Sequence, residues 1–441
     1  MLEKPINPNY AATVVKIENI QPVAGLDNLV KTLIFSNAVL VGKDTQISDL
    51  GLFFPVECAL SQEFLHNNNL FKDSTLNVNK EKKGYFEQHG RIRAVKFKGV
   101  PSEGFFIPIT CLDYIFENST LKEFENLAEG IDFDKILSHE ICRKYIPKGI
   151  NLPIEKKNKS DKKVVKKFDK LLPEQFRLHN DTSNLRRNIR LINPEDTISL
   201  SNKLHGSSWV VGNVLTKKPL GKIKNFLKKF IPEINDTLYD IIYASRCVIK
   251  NKYINSEANG GYYGADLWGD IAKLLEGKVL EGFTLYGEVV GMLQSGGWIQ
   301  KNYDYGCRPN TYEIYVYRIT HTNQSGKMIE LSWPQIKDYC NKFEIKHVPE
   351  FYYGKAKDYC PEIPIGQHWQ ENFLNKLEKD FIQDKDCSMC NNKVPAEGIV
   401  LSVETLWERS SYKLKNFRFL GQETKALDNG EVDIESEQSF N

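Results

Sequence analysis

Over roughly the first 110 residues, apolar and polar positions alternate in short runs. Ala12-Thr13-Val14-Val15-Lys16-Ile17, Lys31-Thr32-Leu33-Ile34-Phe35 and Ile92-Arg93-Ala94-Val95-Lys96-Phe97 are rich in β-branched or aromatic residues, which predicts strands. Gly25, Gly42, Gly51, Gly90 and Gly99 punctuate them as turn residues. Short strands with glycine turns fit a small barrel better than a helical bundle. From about Phe176 the pattern mixes two periods. Ile223, Phe226, Leu227 and Phe230 recur at helical spacing. So do Ile336, Tyr339, Cys340 and Phe343 after a cap at Ser332, and Trp369, Phe373, Leu377 and Phe381. Apolar stretches at 209–215, 284–290, 312–320 and 399–403 predict strands. The chain is therefore expected to be α+β.

Between them the composition shifts. Lys156, Lys157, Lys159, Lys162, Lys163, Lys166, Lys167 and Lys170 crowd one short stretch, and like charges at that density resist compaction. It reads as an exposed linker, either merely solvated or a strap that attracts phosphate. The expected organisation is a β-barrel unit over 1–150, a lysine-rich linker over 151–175, a larger mixed unit over 176–421 and an acidic, mobile tail over 422–441.

Charge sets limits on the partner. Lys+Arg number 59 and Asp+Glu 57, a net +2, so a nucleic acid must be held by a local patch rather than by the global field. Hydrophobic residues at 41% exclude a chain disordered throughout. No run of about 18 apolar residues predicts a membrane span. The first residues lack the pattern of a secretory signal. With that start, the nine cysteines are expected to be mostly free thiols in a cytoplasmic protein. Cys387 and Cys390 have zinc-like spacing, but Cys360, His347 and His368 are the only nearby partners and none repeats it. The eight histidines form no cluster, and Tyr262, Tyr263 and Trp268 are expected in the core.

Four segments could carry chemistry. Lys203, in Asn202-Lys203-Leu204-His205-Gly206, could be a nucleophile or a surface lysine in a glycine turn. Glu288 interrupts an apolar strand, either facing water or needing a buried partner. Glu397 opens a strand beside Gly398, as a solvated turn residue or a ligand. Strand alternation puts Lys413 and Lys415 on one face, where they repel unless the edge is wet or an anion lies between them. Taken together, they supply a nucleophile, two carboxylates and two phosphate-binding cations. That inventory can attack the α-phosphorus of a nucleoside triphosphate, a divalent metal offsetting the growing charge.

Lys203-Leu204-His205-Gly206, Tyr286-Gly287-Glu288, Glu397-Gly398-Ile399-Val400 and Lys413-Leu414-Lys415 stand in the order shared by covalent nucleotidyltransferases, the superfamily of DNA ligases, RNA ligases and messenger-RNA capping enzymes. Ser245-Arg246 resembles a further motif of that superfamily, and His205 resembles the RNA ligases. Arg91 to Val95, Pro101 to Gly104, Phe176 to Thr182, Tyr263 to Gly269, Ile299-Gln300, Tyr305-Gly306 and Cys387 to Pro395 resemble the RNA ligase subgroup with an amino-terminal OB domain.

The resemblance implies an OB-like β-barrel followed by a nucleotidyltransferase domain of antiparallel sheets flanked by helices. It implies adenylylation of Lys203 from ATP, then transfer of AMP to an RNA 5′-phosphate and joining to a 3′-hydroxyl. Glu288 would contact the ribose, Glu397 would organise Mg2+ or Mn2+, and Lys413 and Lys415 would hold the phosphates. Arg246 would contact the ribose or a substrate phosphate, and the backbone near Asn202 would read the adenine edge. His205 and Gly206 would lie beside the nucleotide. Ile314 aligns with the adenine-stacking aromatic of the family, and Arg318 stands where Asp is common. The implied partner is RNA, as a nicked duplex or broken ends, with a monomeric enzyme away from membranes. The alternatives are a capping-type or DNA-joining nucleotidyltransferase, or a non-catalytic nucleic-acid-binding protein of the same fold.

Overall fold

The computed structural model describes residues 4, 5, 7–116, 127–146, 170–218, 220, 236–250, 252, 263–405 and 408–430. The lysine-rich stretch up to 169, the helix expected over 223–230, Tyr262 and residues 431–441 lie outside them.

In the first unit the strand Leu50–Phe54 is central. It pairs antiparallel with Ala12–Lys16 on one side and Phe105–Pro108 on the other, and Asp132–Phe133 completes four strands. Alternation sends Val14, Leu52 and Phe54 into one core with Phe64 and Phe133, and Val15, Ile17 and Phe53 into another with Ile34, Val39 and Val41. Both faces of this sheet are therefore covered, each by its own apolar core.

The ladders do not close into a barrel among the described residues. The strands fall into one four-stranded sheet, one three-stranded sheet and separate pairs. Phe35 and Ser36 turn the chain in left-handed conformations. The expected 92–97 strand is confined to Val95–Phe97, paired with Val100–Ser102.

The second unit is built on two five-stranded sheets. One has the order Ser183–Asn184, Arg409–Lys415, Gly398–Glu404, Thr197–Lys203, Glu350–Lys355, antiparallel except at its first pair. The other has the order Thr237–Ser245, Ser207–Lys217, Phe283–Gly291, Tyr312–Thr322, Met328–Glu330, antiparallel throughout. The sequence patterns at 209–215, 284–290, 312–320 and 399–403 all lie within these strands.

Helices cover the outer faces. Trp333–Lys342 begins at Ser332, whose side chain and Gln335 form a reciprocal capping box. Trp369–Leu377 buries Trp369 and Phe373, stacked 4.8 Å apart, against the first sheet. Tyr263 and Trp268 pack in the core behind the second.

The expected acidic tail differs from the structure at its start. Phe417–Asp428 is a helix, because Asn416 caps it and Phe419, Leu420 and Thr424 find buried sites.

Charged contacts join the two units. Arg186, nearly fully buried, reaches Glu103 at 3.2 Å, Glu378 at 2.8 Å and Asn37 at 3.3 Å. Arg187 pairs with Asp132, and Asn7 donates to Asp181 at 2.7 Å. At the other end of the interface, Asp428 pairs with Arg91 and Arg93.

Removing one partner of a buried pair leaves the other charge uncompensated. Arg186→Ala is expected to cost about 3–5 kcal/mol, read as a lower urea midpoint. An unchanged midpoint would show that the buried carboxylates do not need it.

Candidate functional site

The strand Thr197–Lys203 sends Ile198 and Leu200 into the helix-covered core, so Ser199, Ser201 and Lys203 face the other way. Lys203 is the last residue of that strand. Leu204, His205 and Gly206 carry the chain across to the second sheet, which begins at Ser207. The crossing puts Lys203 at the bottom of a cleft between the sheets.

The register then brings the other residues to it. Lys203 lies opposite Gly398, and Gly398 lies opposite Lys415 on its other side. Glu397 immediately precedes that glycine. Its Oε1 accepts from the Lys203 Nζ at 2.5 Å. Lys413 and Lys415 both line the cavity, on the face that alternation predicts. On the opposite wall Ser208 pairs with Glu288 in register, and its hydroxyl donates to Glu288 Oε1 at 2.8 Å.

Gly206 is required by the crossing. A Cβ there would sit 2.5 Å from the Val289 carbonyl and 3.2 Å from Glu288 Oε2. His205 packs edge-on between Tyr303 and Phe419, with centroids 4.9 and 4.8 Å away, and its N–H donates to the Tyr305 hydroxyl. Asn202 is buried; its N–H donates to the Pro349 carbonyl and its side chain to Met389 Sδ. Arg246 lines the cavity paired with Asp181.

Ile314 is elsewhere. It lies opposite Val289 and packs against the apolar core behind the sheet. The cavity is lined instead by Tyr317, from the same strand, and by Arg318. The Arg318 charge is balanced by Glu330 at 2.7 Å, and its guanidinium lies 4.6 Å from the Tyr286 ring centre.

The cavity has a volume of about 350 Å3, within the range of small-molecule sites. Its walls include residues with no local sequence signal. Tyr10, Glu57, Lys144 and Tyr145 come from the first unit, and Glu423 and Leu427 from the last helix. Arg91, also on the wall, fell within a resembling segment. Glu57 holds a left-handed φ of 70°, a backbone cost that its placement beside Lys415 offsets.

The electrostatics follow from crowding of like and unlike charges. Lys415 lies 3.3 Å from Glu423, 3.6 Å from Glu57 and 3.9 Å from Glu397. Burial alone would push it down; these carboxylates outweigh burial and hold it well above the usual lysine value. Burial and then Lys415 push Lys413 down to about 8, against the pull of Asp181 and Glu57. Burial opposes ionisation of Glu57, but Lys415, a hydrogen bond with Glu423, and Lys413 bring it to about 2.

Among the described residues no group of three His, Cys, Asp or Glu side chains gathers to hold a metal. One oxygen is nevertheless suited to one. Glu397 Oε2 is buried and has no hydrogen-bond partner among them. A hard divalent cation that keeps several waters needs one or two carboxylates, with phosphate oxygens supplying the rest. The arrangement therefore offers an amine, a metal-competent carboxylate and two cations at one end of a nucleotide-sized cavity.

Residues 196–415 match the family described as RNA ligase. Among curated proteins, no match to this sequence was found. In fold the chain is similar to solved structures of Naegleria gruberi RNA ligase. One, a lysine-to-alanine variant with ATP and Mn, shares 16% identity at a TM-score of 0.55, covering 95% of this chain and 99% of that one. Another, with PPi, shares 16% at 0.54, covering 94% and 98%. A lysine-to-methionine variant with AMP and Mn shares 15% at 0.54, covering 93% and 98%.

Gly206→Ala forces a methyl against the Val289 carbonyl. The expected cost is about 1–3 kcal/mol in urea unfolding. Equal stability would show that the crossing relaxes freely.

Proposed function

The chain belongs to the RNA ligase family, and from that membership we propose how its site seals RNA. It is an ATP-dependent enzyme of the nucleotidyltransferase type. Lys203 attacks the α-phosphorus of ATP, forming an N–P bond and releasing pyrophosphate. AMP then passes to an RNA 5′-phosphate. A 3′-hydroxyl attacks that activated end, joins the strands and releases AMP. The observation that carries the reading is the contact between Lys203 and Glu397, residues 194 positions apart.

Each residue has a task set by its place. The amine attacks only without its extra proton, and Glu397 is the group hydrogen-bonded to it. Lys413 and Lys415 bind the phosphates and hold them in line. Glu288, braced by Ser208, receives a ribose hydroxyl. Arg246 contacts the ribose or a substrate phosphate, and the backbone at Asn202 meets the adenine edge. Tyr317 takes the stacking position that Ile314 does not reach. Glu397 Oε2 would hold Mg2+ or Mn2+, which when bound supplies neutralising charge at the phosphoryl oxygens.

The first unit, 1–150, is taken as an OB-like module ahead of the 151–175 linker, and the nucleotidyltransferase unit as 176–421. Support comes from Tyr10, Glu57 and Lys144, which bring the first unit into the cavity wall. The enzyme is taken to act as a monomer in the cytoplasm; among the described residues no helix is long and apolar enough to cross a membrane.

Incubation with α-labelled ATP and magnesium should leave a covalent, amine-linked label on the wild-type protein and none on Lys203→Ala. Label on the alanine variant would place the nucleophile elsewhere. Glu397→Gln should cut loading by at least about a hundredfold, the scale of losing a transition-state electrostatic contact. Parallel trials with GTP, and with ribose against deoxyribose at the break, would expose a capping-type or DNA-joining activity.

Lys413 also sets a pH dependence. It is cationic below about 8 and neutral above, so its grip on phosphates is present at low pH and lost as pH rises. In Lys203→Met protein, ATP affinity should fall up to about tenfold between about pH 7 and pH 9. Lys413→Arg should flatten that fall; an equal fall in both would remove Lys413 from the phosphate site.

A further inference from the structure

Cys387 and Cys390 flank a tight turn that the ligase chemistry does not use. The turn is pinned at its base: Cys387 N–H donates to the Val394 carbonyl at 2.8 Å, and Asp386 pairs with Pro395. Cys387 opens the turn and Cys390 closes it, with only Ser388 and Met389 between them. The first and fourth Cα atoms of a β-turn lie within about 7 Å, which is inside the reach of a disulfide.

Donors beside a sulfur favour its thiolate over its thiol. The Cys390 thiol first of all, against burial, brings Cys387 down to about 7, while the same contact pushes Cys390 up. One ionised sulfur beside one protonated sulfur is the division of labour of an attacking and a resolving thiol. Cys387 is buried and Cys390 half-buried, so the oxidant that reaches them must be small.

The turn is tied to the nucleotide site at several points. Met389, between the two cysteines, accepts from the Asn202 side chain at 3.4 Å. Asn391 N–H donates to Asp304 at 2.8 Å. The Tyr303 hydroxyl donates to the Pro395 carbonyl at 2.8 Å, and the Tyr303 ring packs against His205. Glu397 follows two residues after Pro395. Closing an S–S bond draws the two sulfurs to about 2 Å. The peptide between them must then shift, and Met389 with it.

We propose that Cys387 and Cys390 are a reversible redox pair whose oxidation to a disulfide slows the loading of Lys203, with hydrogen peroxide as the oxidant. The inference rests on the ligase reading above. The Cys387 thiolate attacks peroxide, breaking the O–O bond and releasing hydroxide, and becomes a sulfenic acid. The Cys390 thiol attacks that sulfur, the S–S bond forms, and water leaves. Two electrons pass to one peroxide. A dithiol reductant reverses the change.

The test uses the full chain, reduced and then exposed to peroxide. Both cysteines fall in one tryptic peptide, 386–393. That peptide should lose two hydrogens, and the rate of covalent labelling from α-labelled ATP should fall at least about tenfold. Dithiothreitol should restore both, which separates the effect from methionine oxidation at Met389. Cys387→Ser should label at the reduced wild-type rate before and after peroxide. A peptide that keeps both thiols, a disulfide with an unchanged rate, or an equal loss in Cys387→Ser would each overturn the proposal. Reduced protein that takes no label would overturn the ligase reading, and this one with it.

Discussion

The proposed chemistry depends on holding Lys203 against Glu397 inside a cavity crowded with other charges. Backbone register secures the contact before any side chain acts. Lys203, Gly398 and Lys415 sit side by side on three neighbouring strands, and Glu397 enters at the same level. Gly398 makes the approach feasible: a Cβ there would lie 2.0 Å from the Leu414 carbonyl, and its φ of 148° is open to glycine. Burying three lysines together would be prohibitive on its own. Glu397, Glu57, Glu423 and Asp181 offset them, so a closely balanced cluster stands where the proposed reaction needs a polyphosphate and its metal to enter. Lys415 is the best-compensated member and Lys413 the least, which explains why their proton affinities move in opposite directions.

A second constraint is the crossing from one sheet to the other at residues 204–206. It turns two stacked sheets into opposite walls of one cleft, so that a strand end supplies Lys203, the proposed nucleophile, and the facing strand supplies Glu288. The close passage over Val289 leaves space for glycine alone at 206. Packing of His205 between Tyr303 and Phe419 then fixes the crossing from behind. This histidine serves as an anchor of the turn, with aromatic edges on both sides.

The site is completed from outside its own fold. Glu57 from the first unit and Glu423 from the last helix reach Lys415, and that helix is held to the first unit through Asp428 and the arginines Arg91 and Arg93. The cavity thus reports on the relative placement of three parts of the chain. Any motion that admits an RNA end must alter these charged contacts, which are cheaper to break and remake than a buried apolar interface of the same extent.

Much of this was legible from residue order alone. Period-two and period-3.6 patterns placed the long strands and the capped helix at Ser332, because those signals are local. Four short motifs specified the chemistry, because a nucleophile, two carboxylates and paired lysines are types of residue rather than positions in space. Three things were decided by tertiary structure. Ile314 faced the core and Tyr317 the cavity: alternation puts positions three apart on opposite faces, but only the packing of the sheet decides which face meets the cleft. Residues 417–428 became a docked helix because Phe419 and Leu420 found a buried surface that composition cannot reveal. Glu57 joined Lys415 across more than 350 residues of sequence, and no local pattern encodes a contact whose partners meet only after separate sheets have folded and packed.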